Sequence, residues 1–178
     1  YKMDRPYLRL APFKVEIVRQ NPLIVLFYDI VSDEEARIIQ TLGVPKARAY
    51  LKSTEHEIVK RVDKRLELAT NLEIGTAEDL QEGNKRFEKL GIGNRLASAM
   101  TEPEIGGRTV FTVNLKISVP CIKNAALFWY NLMRNGEIDA RSLHAACPVL
   151  TGIKWIVTKW IHERGQEWRR PCGLNQFD

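Results

Sequence analysis

The first part of the chain alternates in a way that is typical of strands. Hydrophobic and polar residues follow a period of two over Lys14–Val18, which predicts a strand. Asn21 and Pro22 indicate a turn, and the apolar run Leu23–Tyr28 then predicts a second strand. Because this second run is almost wholly apolar, we expect it to lie deeper in the interior than the first.

Two helices are predicted next, each introduced by a capping box. In Ser32–Glu35 the serine hydroxyl and the glutamate carboxylate can each satisfy a backbone N–H group, and Gly43 and Pro45 then stop the helix. Thr54–Glu57 has the same pattern and predicts a second, longer helix. The apolar residues of that helix fall on one face: Ile58, Val59, Val62, Leu66 and Ala69.

The pattern changes from helix to strand along the rest of the chain. Thr76–Asp79 predicts the cap of a short third helix, whereas residues 46–54 and 82–99 have no clear period. Five strands are then predicted: Thr109–Val113, Leu115–Val119, Ala125–Asn131, Leu143–Leu150 and Ile153–His162. Helices first (roughly residues 32–80) and short strands after (roughly 106–165) favour an α+β, mainly β fold, with helices packed on a β-sandwich or jelly roll.

Length and charge limit the alternatives. At 178 residues, one domain with a core of ordinary size is the simplest organisation. The net charge is +5, but basic residues alternate with acidic ones at helical spacing, and no basic stripe is present. No apolar run approaches the roughly 20 residues of a membrane-spanning helix. We therefore expect neither a nucleic-acid partner nor a membrane span.

Lys154 is the most informative charged residue. Strand alternation places it on one face together with Ile156, Thr158, Trp160 and His162. Both faces of this strand are mainly apolar, so we expect it to be covered on both sides. A lysine in such a place must be paired or lose its proton, and an anionic ligand is one candidate partner. The alternative is a lysine that reaches solvent from a strand edge.

Three histidines and three cysteines are the residues that could ligate a metal through nitrogen or sulfur. His144 could ligate a metal through a neutral imidazole nitrogen, but one imidazole is not a coordination set, and a hydrogen-bonded core histidine is the alternative. His162 lies near the end of its strand, and His56 is expected at the surface of a charged helix. The cysteines lack the spacing of a structural zinc site: Cys121, Cys147 and Cys172.

Four segments, in order and spacing, resemble the collagen prolyl 4-hydroxylase alpha-subunit family. They are Gly106–Phe111 (GGRTVF), Ala126–Leu132 (ALFWYNL), His144–Leu150 (HAACPVL) and Lys159–Glu167 (KWIHERGQE). Arg169–Cys172 continues the similarity, which covers nearly the whole chain. The resemblance is to the C-terminal catalytic domain of that family, an iron- and 2-oxoglutarate-dependent dioxygenase.

The resemblance implies a fold and a set of site residues. The family fold is a double-stranded β-helix, or jelly roll, with flanking N-terminal helices. His144 matches an iron ligand, Lys154 matches the lysine that pairs with the distal carboxylate of 2-oxoglutarate, and His162 matches a further histidine that helps to bind this cosubstrate. Cys147 and Cys172 match a family disulfide.

The resemblance also implies an activity and its surroundings. The expected reaction is that of a procollagen-proline 4-dioxygenase, which hydroxylates peptidyl proline at C4 in X-Pro-Gly repeats. It would use Fe(II), 2-oxoglutarate, O2 and ascorbate. Protein disulfide-isomerase would be the beta subunit, and the endoplasmic reticulum lumen, where a disulfide is stable, would be the location.

One departure from the family concerns the iron site. A His-x-Asp pair supplies two further iron ligands in the family, but here Ile58, Ala146 and Arg164 follow two residues after the three histidines. We therefore expect active-site segments to be missing near residues 50, 81–82 and 98–99. Either they belong to the protein but are absent from this sequence, or they are lost, which would leave a domain unable to bind iron.

Two other functions stay open at this point. The chain could be a non-catalytic jelly-roll interaction module that has lost the His-x-Asp ligands. It could instead be a related 2-oxoglutarate dioxygenase that acts on another protein substrate.

Overall fold

The computed structural model describes residues 11–43, 49–83, 94–112 and 115–175. Two helices lie in these ranges, α1 (Asp33–Gly43) and α2 (Glu57–Thr70). Neither of them has the length and the apolar composition that a membrane-spanning helix needs. The strands are β1 (Lys14–Arg19), β2 (Ile24–Tyr28), β3 (Ala49–Leu51), β4 (Leu80–Gly83), β5 (Asn94–Ala99), β6 (Ile105–Gly106), β7 (Thr109–Phe111), β8 (Ile117–Val119), β9 (Ala126–Trp129), β10 (His144–Ala146), β11 (Val149–Thr151) and β12 (Ile156–Ile161).

Seven strands form one antiparallel sheet in the order β1-β2-β9-β5-β12-β4-β3. β12 pairs with β5 along its whole length, from Ile156 opposite Ala99 to Ile161 opposite Asn94, and with β4 on its other edge. Strands that are far apart in the chain are therefore neighbours, so the pairing in this sheet is mainly long-range.

Both helices pack on one face of this sheet. Their apolar residues join every second residue of the central strands in a single core: Val25, Phe27, Ile39, Val59, Val62, Leu66, Leu96, Phe128, Val157 and Ile161. The predicted apolar face of α2 is confirmed, although Ile58 is only partly buried. Each fully buried aliphatic or aromatic side chain contributes about 1.5–3 kcal/mol, so this core stabilises the helices more than their intrinsic propensity does.

Short strands cover the other face of the large sheet. β10, β7 and β8 form a three-stranded sheet, and β11 pairs with β6. A second core lies between the large sheet and these strands, and it contains Ile24, Leu26, Phe111, Val119, Leu127 and Trp129. The described residues thus form a mainly β structure with antiparallel sheets and two helices, as the pattern predicts.

The structure confirms the first predicted helix cap and corrects the second. The Ser32 hydroxyl accepts from the backbone N–H of Glu35 at 3.2 Å, and the Glu35 carboxylate accepts from the backbone N–H of Ser32 at 2.9 Å. The second prediction is wrong, because α2 begins at Glu57 and its cap is His56, whose Nδ1 accepts from the backbone N–H of Ile58 at 3.1 Å. Pro45, the predicted stop, lies outside the described residues.

The predicted third helix is also wrong. Thr76–Asp79 forms a turn before β4, and the Thr76 hydroxyl donates to the backbone carbonyl of Arg164 instead of capping a helix.

The predicted strands have shorter bounds in the structure, and one of them is two strands. Leu143–Leu150 divides into β10 and β11, which belong to different sheets, with Cys147 and Pro148 between them. Proline has no N–H to continue a strand ladder, which explains the break. Val113, at the end of another predicted strand, lies outside the described residues.

Two buried glutamates, Glu35 and Glu67, make the stability of the fold depend on pH. Burial raises the pKa of Glu35, but hydrogen bonds from Arg65 at 2.7 and 3.0 Å and from Ser32 hold it below its ordinary value. Burial also raises the pKa of Glu67, but hydrogen bonds from Lys64 and Arg169 hold this pKa below its ordinary value. A group with a lowered folded-state pKa stabilises the fold above its unfolded pKa, and this contribution is lost as pH falls through the folded pKa.

We expect the urea midpoint of unfolding to fall as the pH drops below about 4.3, the pKa of a glutamate in an unfolded chain. Glu35→Gln should lower the midpoint at neutral pH and reduce the fall under acid, because the variant has one fewer paired carboxylate to protonate. Glu34→Gln, on the exposed side of the same helical turn, is the matched control. An acid-induced fall of the same size in Glu35→Gln and in the unmodified protein would contradict this assignment.

Candidate active site

His144 is fixed between the large sheet and the three-stranded sheet. It begins β10 and lies opposite Phe111 of β7 in the antiparallel register. Its ring packs on the Trp129 indole, with centroids 4.6 Å apart, and on the Phe111 ring at 5.7 Å. A single-turn 3-10 helix, Ala140–Ser142, leads into the strand. The partly buried histidine therefore lies beside the second core, against the rings of Trp129 and Phe111.

Two hydrogen bonds define which nitrogen of His144 carries the proton. Nδ1 lies 2.9 Å from the backbone carbonyl oxygen of Ser142, which can only accept. Nε2 lies 3.1 Å from Nη1 of Arg95, which can only donate. The imidazole is therefore neutral, with its hydrogen on Nδ1 and the Nε2 lone pair directed at the guanidinium.

Arg95 is the most deeply buried cation near this site, with 2% of its surface exposed. Its guanidinium carbon lies 5.4 Å from the centroid of Trp129 and 5.0 Å from that of Trp160. Aromatic faces stabilise a cation at such distances, and the attraction increases when water is excluded. β5 and β12 position this arginine, because Arg95 is paired with Trp160 in their register.

Lys154 lines the same cavity as His144 and Arg95. It lies just before β12 rather than within the predicted strand, and its ammonium donates to the backbone carbonyl of Gly107 at 2.7 Å. The cavity has a volume of about 40 Å³, enough for a few water molecules, and it is open on one side. The chain thus brings together the two residues that sequence reasoning placed at one site.

Gly107 allows the lysine stem to lie close to the backbone. Its φ is +67°, and a Cβ built there would lie 2.7 Å from Cγ of Pro103 and 3.3 Å from Cδ of Lys154. Any other residue would be strained by this φ and would crowd both neighbours. The glycine in the GGRTVF segment therefore has a local role beside the cavity.

His162 does not join this group. It follows β12, and its Nε2 lies 3.3 Å from a carboxylate oxygen of Glu78. The residues that line the cavity do not include it. A part in 2-oxoglutarate binding stays a prediction for His162.

Among the described residues, no group of three or more histidine, cysteine, aspartate or glutamate side chains is arranged to hold a metal ion. His144 is the one predicted iron ligand in this sequence, and Arg95 donates to the nitrogen that would bind the metal. Iron in this family of sites needs two histidines and a carboxylate. The described residues therefore do not fit an iron ion at His144.

The three cysteines are free thiols in the structure. Cys121 lines the cavity, and burial raises the pKa of its thiol, so the neutral form is favoured there. Cys147 and Cys172 are not bonded to each other, and their pairing stays a prediction.

Sequence reasoning did not identify Arg95. It lies in the stretch without a clear period, because β5 (NRLASA) has buried polar residues on both faces and small residues between them. The aromatic run Phe128–Tyr130 gave a partial signal. Phe128 and Trp129 are 0% and 1% exposed, and alternation turns the Trp129 ring toward the cavity.

The chain is similar in sequence to prolyl 4-hydroxylase alpha subunits. It is 46% identical over 222 aligned residues to "Prolyl 4-hydroxylase subunit alpha-1" of Caenorhabditis elegans, with 100% of the chain and 40% of the relative covered. It is 37% identical over 217 residues to the human alpha-1 subunit, with 97% and 40% covered. The chain thus spans about two fifths of the length of these curated relatives, and no family model matches it.

One solved structure supports the likeness of fold. The viral collagen prolyl hydroxylase vCPH of Paramecium Bursaria Chlorella virus-1, in its 2OG complex, superposes with a TM-score of 0.67 at 20% identity. The superposition covers 78% of this chain and 94% of the viral one.

Proposed function

Because the chain belongs to the prolyl 4-hydroxylase alpha-subunit family, we propose that it is the dioxygenase domain of such a subunit. The reaction is hydroxylation of peptidyl proline at C4 in X-Pro-Gly collagen repeats, with 2-oxoglutarate and O2 as cosubstrates. The observation that carries this proposal is the common cavity of His144 and Lys154, two residues that match family site residues.

The layered β structure supports a jelly roll as the architecture of this domain. A large antiparallel sheet faces the three-stranded sheet across the second core, and the helices cover the outer face. The whole of residues 1–178 is proposed as a single catalytic domain. Its substrate cavity opens between the two β layers.

The proposed hydroxylase needs iron ligands that this sequence lacks. The alignment with the Caenorhabditis elegans relative covers 222 residues, whereas the chain has 178. The relative therefore contains residues that have no counterpart here. We propose that segments near 50, 81–82 and 98–99 are among them and that one carries the His-x-Asp pair for Fe(II), with ascorbate maintaining the ferrous state.

Membership of the family also supports proposals on the partner subunit, the cellular compartment and a disulfide. Protein disulfide-isomerase is the proposed beta subunit, and the endoplasmic reticulum lumen is the proposed compartment. Cys147 and Cys172, which are only partly buried or exposed, are proposed to form a disulfide in that oxidising environment.

A non-catalytic interaction module is the second candidate. It is favoured by the hydrogen bond between Arg95 and His144, which occupies the nitrogen that a metal would need. The two candidates differ in turnover, since only the first consumes 2-oxoglutarate.

We expect the protein purified from its native source to convert Pro-Pro-Gly repeat peptides to 4-hydroxyproline peptides when Fe(II), 2-oxoglutarate and ascorbate are supplied. Mass spectrometry of the peptide and loss of 2-oxoglutarate are the readouts. A peptide with alanine in place of the hydroxylated proline is the control. No hydroxylation by folded native protein would reject the hydroxylase proposal, and intact mass would show whether its chain contains the additional segments.

A further inference from the structure

A groove lies between α2 and the segment that leads into β1. It has a volume of about 550 Å³. Along the helix it extends from Glu57 to Leu68, which is about 16 Å at the rise of an α-helix. None of the described residues lines both this groove and the cavity of His144 and Lys154. The groove is therefore a separate surface feature, on the helical side of the molecule.

Part of the groove surface is apolar. Phe13 lines one side of it, where the ring is half-buried and packs edge-on against Phe27, with ring centroids 6.4 Å apart. Leu68 lines the helical side, is also half-buried, and belongs to neither of the two cores that the described residues form. A leucine outside the cores leaves apolar surface in water, and a partner's apolar side chain that covers it gains the free energy of burial.

The fold separates the basic and acidic residues of α2, which alternate along the sequence. Asp63 is buried and pairs with Lys159 of the large sheet at 2.9 Å. Glu67 is buried as well, and Arg169 lies 3.0 Å from its carboxylate. Two of the acidic side chains of the helix are thereby withdrawn from its outer surface, whereas the basic residues between them stay exposed.

Three exposed basic residues of α2 line the groove: Lys60, Arg61 and Lys64. Among the described residues Arg61 makes no ion pair, and Lys60 lies 3.9 Å from Glu57 with both side chains largely exposed, a contact that contributes little. Lys64 pairs with a carboxylate at 2.8 Å but keeps 62% of its side chain exposed. Glu57 is the one acidic residue among the described lining residues, so the groove carries a net positive charge.

We infer that this groove is a docking surface for an acidic amphipathic segment of a partner protein. Acidic side chains of the segment pair with the cations of α2, and its apolar side chains cover Leu68 and Phe13. The apolar part of the lining favours such a segment over a nucleic acid, which offers phosphates but no aliphatic side chains. The first ten residues of the chain itself contain three basic side chains and one acidic side chain, so their charge opposes binding in this groove. The inference does not depend on the proposed hydroxylase activity.

The test is fluorescence anisotropy with two labelled synthetic peptides. One has leucine and glutamate at the spacing of an amphipathic helix, and the other has lysine at every glutamate position. We expect the acidic peptide to bind the chain with a Kd of about 1–100 µM, as small and partly polar interfaces do, and the basic peptide to show no saturable binding. Raising the salt concentration from about 0.05 M to about 0.3 M should weaken the acidic peptide by about threefold or more, because exposed charges are screened.

Variants of exposed residues separate the groove from the charge of the whole molecule. Lys60→Glu combined with Arg61→Glu should weaken binding of the acidic peptide by about tenfold or more, because two attractive contacts become repulsive. Arg37→Glu combined with Lys116→Glu changes the net charge by the same amount at exposed positions outside the groove, and should weaken binding by less than about twofold. Leu68→Ser keeps the charge and should weaken binding by about threefold or more, because apolar burial is lost.

Four outcomes would overturn the inference. They are no saturable binding of the acidic peptide, equal binding of both peptides, an equal effect of the two charge-reversal pairs, and unchanged affinity in Leu68→Ser. Phosphatidylserine vesicles and single-stranded DNA serve as competitors. Displacement of the acidic peptide by either of them at a lower concentration than unlabelled acidic peptide requires would assign the groove to a membrane surface or to a nucleic acid instead.

Discussion

Asp63→Ala should lower the free energy of unfolding by about 3–5 kcal/mol, because it leaves the buried ammonium of Lys159 without its partner. The two side chains are 1% and 4% exposed, and their charged atoms are 2.9 Å apart. Asp63 also accepts a hydrogen bond from the Ser53 hydroxyl. This pair joins α2 to the centre of the large sheet, so its loss weakens the contact between the helices and the sheet.

Urea unfolding of a matched set of variants measures this effect. Glu57→Ala removes a carboxylate from the surface of the same helix, where Lys60 is 3.9 Å away and both side chains are largely exposed; we expect at most about 1 kcal/mol. Asp63→Leu combined with Lys159→Met should recover most of the loss, because an apolar pair of similar volume carries no desolvation cost. A loss in Asp63→Ala no larger than in Glu57→Ala would contradict the assignment.

Trp129→Ala should also cost about 3–5 kcal/mol, because it empties a large volume in the second core. Trp129 is 1% exposed, packs edge-on against Phe111 at 5.5 Å, and donates from its indole nitrogen to Asn131 at 2.8 Å. The same ring also packs against the Arg95 guanidinium and the His144 imidazole.

Two tryptophan controls separate volume from the hydrogen bond. Trp168→Ala removes a side chain that is 96% exposed and should change stability by no more than about 0.5 kcal/mol. Trp129→Phe keeps most of the ring and loses the bond to Asn131, so about 1–3 kcal/mol is expected for an acceptor left buried. If Trp129→Ala were no more destabilising than Trp129→Phe in urea, the packing account of this ring would be wrong.

β12 illustrates how much of the fold could be predicted from sequence. Its alternation correctly separates Ile156 and Lys154, which line the cavity, from Val157 and Ile161, which face the helices. Such a prediction succeeds because a period of two follows from backbone geometry alone. The order of strands in the sheet could not be predicted in this way, since pairing depends on contacts between distant segments.

The two lysines near β12 show where sequence reasoning about the site ends. A buried lysine needs an anion, and this condition applied to Lys159 as well as to Lys154. For Lys159 the anion is Asp63, which lies in helix α2 and is distant in sequence. For Lys154 the structure gives a backbone carbonyl and a shared cavity. Only the fold shows that Lys159 is paired with a carboxylate of the protein and that Lys154 lines a cavity.

Arg95 and His56 were missed for a related reason. An arginine between two indoles, and a histidine ring that caps a helix, gain their roles from partners that hydrophobic periodicity does not report. The position of Trp129 in an alternating strand was the one indication of such a partner in the sequence. Its large ring faces away from the helices, so another side chain must pack against it on the opposite face of the sheet.

The 2-oxoglutarate requirement of a Lys154→Met variant tests most directly the proposal that His144 and Lys154 belong to one cosubstrate site. We predict that Lys154→Met raises the 2-oxoglutarate concentration for half-maximal hydroxylation by about tenfold or more, because a charge-assisted hydrogen bond is lost, whereas Lys14→Met on the exposed strand β1 leaves it unchanged. The same 2-oxoglutarate requirement in Lys154→Met and in the unmodified protein would contradict the account.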